Sequence, residues 1–140
     1  MDVAGLRALR KGEGTKVRLV NFWATWCGPC IAEFPEFIEI NRMYRQRDFE
    51  FVTVAANYPD ERAEVLKFLK KQQSSGKNLL WHSTDKNALV EAFEPKWSGA
   101  LPYTVLLSPA GELLYQHEGA IDPLKLKRAI VQVLGREMVK

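Results

Sequence analysis

The chain is short of cysteine and histidine: Cys27 and Cys30 are the only thiols among 140 residues, and His82 and His117 the only imidazoles. Two cysteines cannot build a disulfide-stapled scaffold. The histidines lie 52 and 87 positions beyond Cys30, far outside the compact spacing of a zinc or copper site, so no metal is expected. Neither sign of charge dominates: 20 basic residues stand against 17 acidic ones, a net charge of +3, with no run of like charges, which gives nucleic-acid binding little support. No apolar run approaches the roughly 20 residues that cross a bilayer, and no charged start followed by an apolar block marks a secretory leader. A soluble chain is expected, with a longer precursor carrying an anchor or further domains left open. Repeats and low-complexity segments are also missing.

What the chain does have is a hydrophobic content of 46%, enough at this length for one domain, residues 1–140, with a real core. It also has Cys27-Gly28-Pro29-Cys30 at the end of an apolar run, Val20-Asn21-Phe22-Trp23-Ala24-Thr25, and at the start of a helical pattern. A cysteine pair two residues apart between strand and helix is the layout of a reversible dithiol/disulfide. A helix N-terminus leaves N–H groups unpaired and carries partial positive charge, so a thiolate is stabilised there. Cys27 is therefore expected to be the nucleophile and Cys30, one turn inward, the resolving thiol. Pro29 suits the first helical turn, where its missing N–H costs nothing, and Gly28 is expected to ease the turn of the backbone. A purely structural disulfide is not favoured, because so short a ring stabilises little.

The segment Val20–Pro35, the loop Gly99-Ala100-Leu101-Pro102-Tyr103-Thr104 and the turn Pro109-Ala110-Gly111-Glu112 together resemble the thioredoxin-fold proteins, most closely the TlpA/ResA-like thiol-disulfide oxidoreductases. The resemblance runs from about Val17 to the C-terminus. It implies a thioredoxin-like α/β fold with a TlpA-type helix-strand insertion at about 58–84, and a cis peptide before Pro102, opposite the cysteines, where Leu101 offers backbone groups to an extended substrate. Glu33, one turn beyond Cys30, matches a functional acid of ResA-like proteins; read from the residues alone, it is equally an exposed helix carboxylate. Asn21 stands where thioredoxin has a buried acid, so that acid's role is not carried over, and Glu33 or water becomes the candidate for proton handling.

In chain order, an amphipathic helix over residues 2–11 ends at Gly12-Glu13-Gly14, and its cations, with Lys16 and Arg18, are expected on a solvated face. Strand Val17–Trp23 follows, then a helix from Gly28 to about Arg47 with Pro35 inside it, expected to kink the axis. Phe49–Ala56 is the second parallel strand, followed by a helix from Pro59 or Asp60 to Gln73, a short strand at Leu79–His82 and a helix over Asp85–Phe93. Strands Tyr103–Ser108 and Leu113–Glu118 form a hairpin, and Asp122-Pro123 opens a last helix to about Leu134. This order fits a central mixed β-sheet with helices on both faces.

Trp26 and Trp97 either line an apolar groove that receives a partner or fill the core, and Trp23 is expected to be buried. The function expected from motif and resemblance together is a thiol-disulfide oxidoreductase that reduces disulfides in partner proteins through Cys27 and Cys30 and uses no other cofactor. The Cys-Gly-Pro-Cys core is that of thioredoxin, a reductant at about −270 mV. The resemblance further implies a monomer outside the bacterial cytoplasmic membrane, in the periplasm, acting on a disulfide-containing protein such as an apo-cytochrome. An upstream thiol reductant, soluble or in the membrane, would recycle it. The competing class is a redox-inactive thioredoxin-fold module that binds a metal or a partner.

Overall fold

A computed structural model describes residues 1–12 and 14–139; Glu13, in the expected break after the first helix, lies outside them. The chain runs α1 (Val3–Lys11), β1 (Val17–Trp23), α2 (Gly28–Tyr44), β2 (Phe49–Ala55), a 3-10 turn (Pro59–Glu61), α3 (Arg62–Gln72), β3 (Lys77–Leu80), α4 (Lys86–Phe93), β4 (Tyr103–Leu107), β5 (Leu113–Glu118) and α5 (Pro123–Val139). The strands form one sheet in the order β3-β2-β1-β4-β5. β1 pairs in parallel with β2, and β2 with β3. β4 runs antiparallel to both β1 and β5. This is the mixed sheet of a thioredoxin-like fold.

Strand β1 is buried along its whole length, as a central strand covered on both faces must be. Its alternate residues divide the core. Val20 and Phe22 pack with Leu6 and Leu9 of α1 and with Leu89 and Phe93 of α4. On the other face, Val17 and Leu19 meet Phe37 and Ile40 of α2 and Leu126 and Ile130 of α5, and Trp23 meets Phe34 of α2 with Val65 and Leu69 of α3. Between those last two clusters the sheet carries a polar row. Asn21 stands in register with Thr53 and Thr104, its amide donates to Thr104 Oγ1 at 3.2 Å, and Thr53 donates to Asn78 at 2.8 Å. The asparagine in the place of thioredoxin's acid is thus paired within the sheet.

Element boundaries follow local chemistry. Asp2 caps α1 by accepting from Gly5 N–H, and Asp85 caps α4 by accepting from Ala88 N–H. Asp122 accepts from the N–H groups of Leu124 and Lys125 at the start of α5. Helix α2 ends at Tyr44, three residues before the expected Arg47, and keeps Pro35 within it. The third strand sits two residues earlier than expected, at Lys77–Leu80, because pairing with β2 sets it: Val52 to Ala55 lie opposite Lys77 to Leu80.

The solvated cationic face expected near the N-terminus is wrong for two of its members. Arg18 is 6% exposed; its guanidinium donates to Leu9 O of α1 and, at 3.0 Å, to Ser108 O at the end of β4. Arg10 donates to Gly111 O at 2.7 Å and pairs with Glu94 at 3.6 Å. These two side chains fasten α1 across one end of the sheet. Gly12, at φ 76°, leaves room for the Arg18 guanidinium, with which any Cβ would collide.

Candidate active site around Cys27 and Cys30

Strand β1 ends at Trp23 and the chain reaches α2 through Ala24-Thr25-Trp26. Cys27 is the N-cap residue of α2, its sulfur accepting from Cys30 N–H at 3.3 Å, and Pro29 occupies the first helical turn. Cys27 N–H donates to Ala24 O at 3.1 Å. The two cysteines are joined as a disulfide with a Cα–Cα distance of 5.3 Å. Cys27 is 8% exposed and Cys30 1%. An attacking thiol therefore meets the Cys27 sulfur, while Cys30 is reached only from within.

The residues around the pair are apolar on the protein side. Both cysteines belong to the cluster of Trp23, Phe34, Ile38, Val65 and Leu69, and the half-buried Leu101 packs against it. The Leu101–Pro102 peptide is cis, as the resemblance implied, and Pro102 O accepts from Gly119 N–H at 2.8 Å. Trp23 is fully buried, its ring 5.2 Å from Phe34 and 5.1 Å from Phe68. Trp26, next to Cys27 in the chain, is half exposed, with Lys86 Nζ 4.6 Å from its ring centroid, a cation–π contact.

The structure decides two alternatives left open for this region, at Trp97 and Glu33, and corrects one expectation, at Gly28. Trp97 does not reach the surface: it is 3% exposed, stacks on Tyr103 at 4.6 Å and donates its indole N–H to Ala100 O at 2.9 Å. It packs with α1 and α4, whereas the cysteines pack with α2 and α3, so it lines no groove at the disulfide. Gly28 has open space where a Cβ would stand, and its φ is not positive, so no backbone strain requires glycine there. Glu33 is not an exposed helix carboxylate. It is 7% exposed, with one oxygen accepting from Ile121 N–H at 2.9 Å and the other buried without a partner. Burial pushes its pKa up, and the hydrogen bond from Ile121 offsets part of that.

A residue not foreseen from the sequence holds the loop before Cys27. Asn57, just past β2, is fully buried. Its oxygen accepts from Thr25 N–H at 3.0 Å, and its amide donates to Thr25 Oγ1 at 2.7 Å and to Glu61 at 3.1 Å. In the sequence it stands in a turn-forming run ahead of Pro59, and nothing local announces a partner 32 positions earlier. His82 and His117 sit on opposite edges of the sheet, and among the described residues no group of three His, Cys, Asp or Glu is placed to hold a metal ion.

The sequence profile described as Redoxin matches residues 8–131. Among curated proteins, the chain is 31% identical over 114 residues to the thiol-disulfide oxidoreductase ResA of Halalkalibacterium halodurans, covering 81% of this chain and 59% of that protein. It is 27% identical over 126 residues to the thiol:disulfide interchange protein CycY of Rhizobium leguminosarum bv. viciae, covering 89% and 62%. The chain thus spans about six-tenths of the length of these relatives. Among solved structures, a thiol:disulfide interchange protein of the thioredoxin family from Chlorobium tepidum aligns with a TM-score of 0.71 at 26% identity, over 91% of this chain and 84% of that one.

Proposed function

The chain belongs to the Redoxin family, and from that premise we propose that it is a thiol-disulfide oxidoreductase that reduces disulfides in partner proteins through Cys27 and Cys30. The observation that carries this reading is the pair itself: a disulfide at the N-terminus of α2, with Cys27 the more accessible sulfur and its Sγ already held by the Cys30 N–H.

The cycle starts from the dithiol. The Cys27 thiolate attacks one sulfur of a partner disulfide; that S–S bond breaks, the partner's other sulfur leaves as a thiolate and takes up a proton, and a mixed disulfide joins Cys27 to the partner. Cys30, as its thiolate, then attacks Cys27 Sγ, and the partner departs with its second thiol. Two electrons have moved to the partner, and the Cys27–Cys30 disulfide waits for an upstream dithiol to reduce it. The helix N-terminus favours the Cys27 thiolate as attacker and as leaving group. Pro29 preorganises that first turn, while Gly28 keeps the approach to Cys27 unobstructed. Leu101 and Pro102 border the same cluster and offer backbone to an extended partner segment, and the exposed Trp26 supplies an apolar rim. Glu33 exchanges the proton that Cys30 must lose, a role supported by its burial and its unpartnered oxygen.

The partner in this reading is a folded or nascent protein with a disulfide, an apo-cytochrome being the example the resemblance suggests. The place of action is outside the bacterial cytoplasmic membrane, with the domain acting as a monomer and with no cofactor beyond its own disulfide. Among the described residues no helix is long and apolar enough to cross a membrane.

A redox titration in dithiol or glutathione buffers, followed by the fluorescence of Trp23 and Trp26, tests the reading. A two-electron transition at or below about −250 mV is expected of a reductant. A midpoint between about −180 and −120 mV would make it an oxidant or isomerase, and the absence of any transition would leave only a binding module. In the same assay Cys27→Ser abolishes turnover and Cys30→Ser accumulates mixed disulfides.

A further inference from the structure

Strand β3 is one edge of the sheet. In a parallel pair, alternate residues direct both backbone groups toward the partner strand. Trp81 N–H donates to Ala55 O at 2.9 Å, so Leu79 and Trp81 face β2, and Asn78 and Leu80 turn theirs outward. At the far end of that edge Met1 is already seated: its terminal ammonium donates to Leu80 O at 2.7 Å, and its carbonyl accepts from His82 N–H at 2.9 Å. Those are the two bonds a residue of an added parallel strand makes. The remaining outward groups, Asn78 N–H and C=O and Leu80 N–H, open onto a groove of about 850 Å³ between β3 and α3.

The groove's chemistry is one-sided. Arg62, Leu66, Leu69 and Lys70 line it from α3 at the three- and four-residue spacing of a single helix face, and Leu79 and Leu80 line it from β3. Leu66 is 43% exposed. His82 adds an imidazole to the lining, and among the described residues lining the groove none is acidic. An apolar floor, an unpaired strand edge and two fixed cations fit one kind of occupant.

We propose that the groove between α3 and β3 docks an extended segment of a partner protein, apolar at alternate positions and carrying at least one carboxylate, as an added strand beside Asn78 and Leu80. Main-chain hydrogen bonds to the edge give affinity, alternate side chains reach the Leu66–Leu69–Leu80 floor, and the carboxylate is held by Arg62 and Lys70. A neutral small molecule would leave the cations and the strand edge unused, and a second copy would bring its own Lys77, Arg62 and Lys70 against them. The groove shares Leu69 and Leu80 with the apolar cluster around the cysteines, but its occupancy does not depend on the redox assignment.

The test is a random seven-residue peptide library displayed on phage and selected on the full chain, with the enriched peptides made with blocked ends and titrated into ¹⁵N-labelled protein. The expected result has four parts: enriched sequences alternate apolar residues and carry Asp or Glu; the amides of Asn78 and Leu80 shift most; Arg62→Glu combined with Lys70→Glu raises Kd at least about tenfold; and N-methylation of the peptide nitrogens that face β3 does the same. Both substitutions sit on exposed positions, and an unchanged shift pattern elsewhere establishes that the variant is folded. The proposal is overturned by peptides lacking carboxylates and indifferent to the double reversal, by shifts centred on Trp26–Cys30, by no enrichment, or by a concentration-dependent dimer that shifts Asn78 and Leu80 without peptide.

Discussion

Glu33→Gln separates the electrostatics of a buried acid from everything else in the domain. In the folded protein one carboxylate oxygen has a partner, Ile121 N–H, and the other has none; burial raises the pKa above the ordinary value of 4.5. A carboxyl with a raised folded-state pKa contributes stability that is fully present below its unfolded value and lost as pH rises through the folded one. The wild type is therefore handicapped above about pH 4.5, where its unfolded chain carries the charge in water and its folded chain must bury it. Glutamine keeps an acceptor for Ile121 and carries no charge, but it puts a buried amide NH2 where the unpartnered oxygen stood, a cost of about 1–3 kcal/mol that does not change with pH. The difference in unfolding free energy, Glu33→Gln minus wild type, is therefore expected to move in favour of the variant as pH rises from about 4 to about 8, because only the wild type must then bury a charge. Urea unfolding of both proteins, kept oxidised so that the disulfide is common to both states, at several pH values gives the difference directly, with equal m-values as the check on two-state behaviour. A flat difference, or one that widens on acidification, would refute the argument. If Glu33 also serves Cys30, the same variant loses the carboxylate limb of the pH–rate profile of disulfide exchange while its stability relative to the wild type rises with pH.

Arg18→Met removes the guanidinium donor to Leu9 O and one of the two donors to Ser108 O, which keeps Gly111 N–H, and should cost about 1–3 kcal/mol, with the amides of α1 losing hydrogen-exchange protection ahead of the sheet; equal loss everywhere would mean that Arg18 does not fasten α1 separately. Asn57→Ala removes the acceptor for Thr25 N–H and should cost about 1–3 kcal/mol. It should also slow exchange with a small soluble disulfide, because the loop ahead of Cys27 is no longer held; a loss of stability at unchanged rate would limit Asn57 to the fold. Trp97→Ala should cost about 3–5 kcal/mol as a buried aromatic and leave that rate unchanged. Trp26→Ala should cost no more than about 1 kcal/mol but weaken partner binding, and the reverse pattern in the two tryptophans would contradict their placement.

The sequence alone determined which elements form and where the chemistry sits. β1 and β5 occupy the residues read from their composition because a central strand and a hairpin arm carry their patterns locally, and Asp85 and Asp122 announce the helices that they cap. Cys27 and Cys30 needed no fold to be singled out, since two residues of spacing at a strand–helix junction is itself the signal. Tertiary structure decided what depends on residues distant in the chain. Arg18 looks like a surface cation until β4 and α1 bring two carbonyls to it, and Glu33 looks like an exposed carboxylate until the segment before α5 closes over it and leaves one oxygen dry. Trp97 and Trp26 are equivalent as letters, yet one faces the core beneath α1 and α4 while the other stands beside the disulfide. Asn57 and Thr25 meet only because parallel pairing aligns the ends of β1 and β2. Local propensity and spacing specify elements and motifs, whereas burial, and with it every shifted pKa and every satisfied polar group, is a property of the assembled chain.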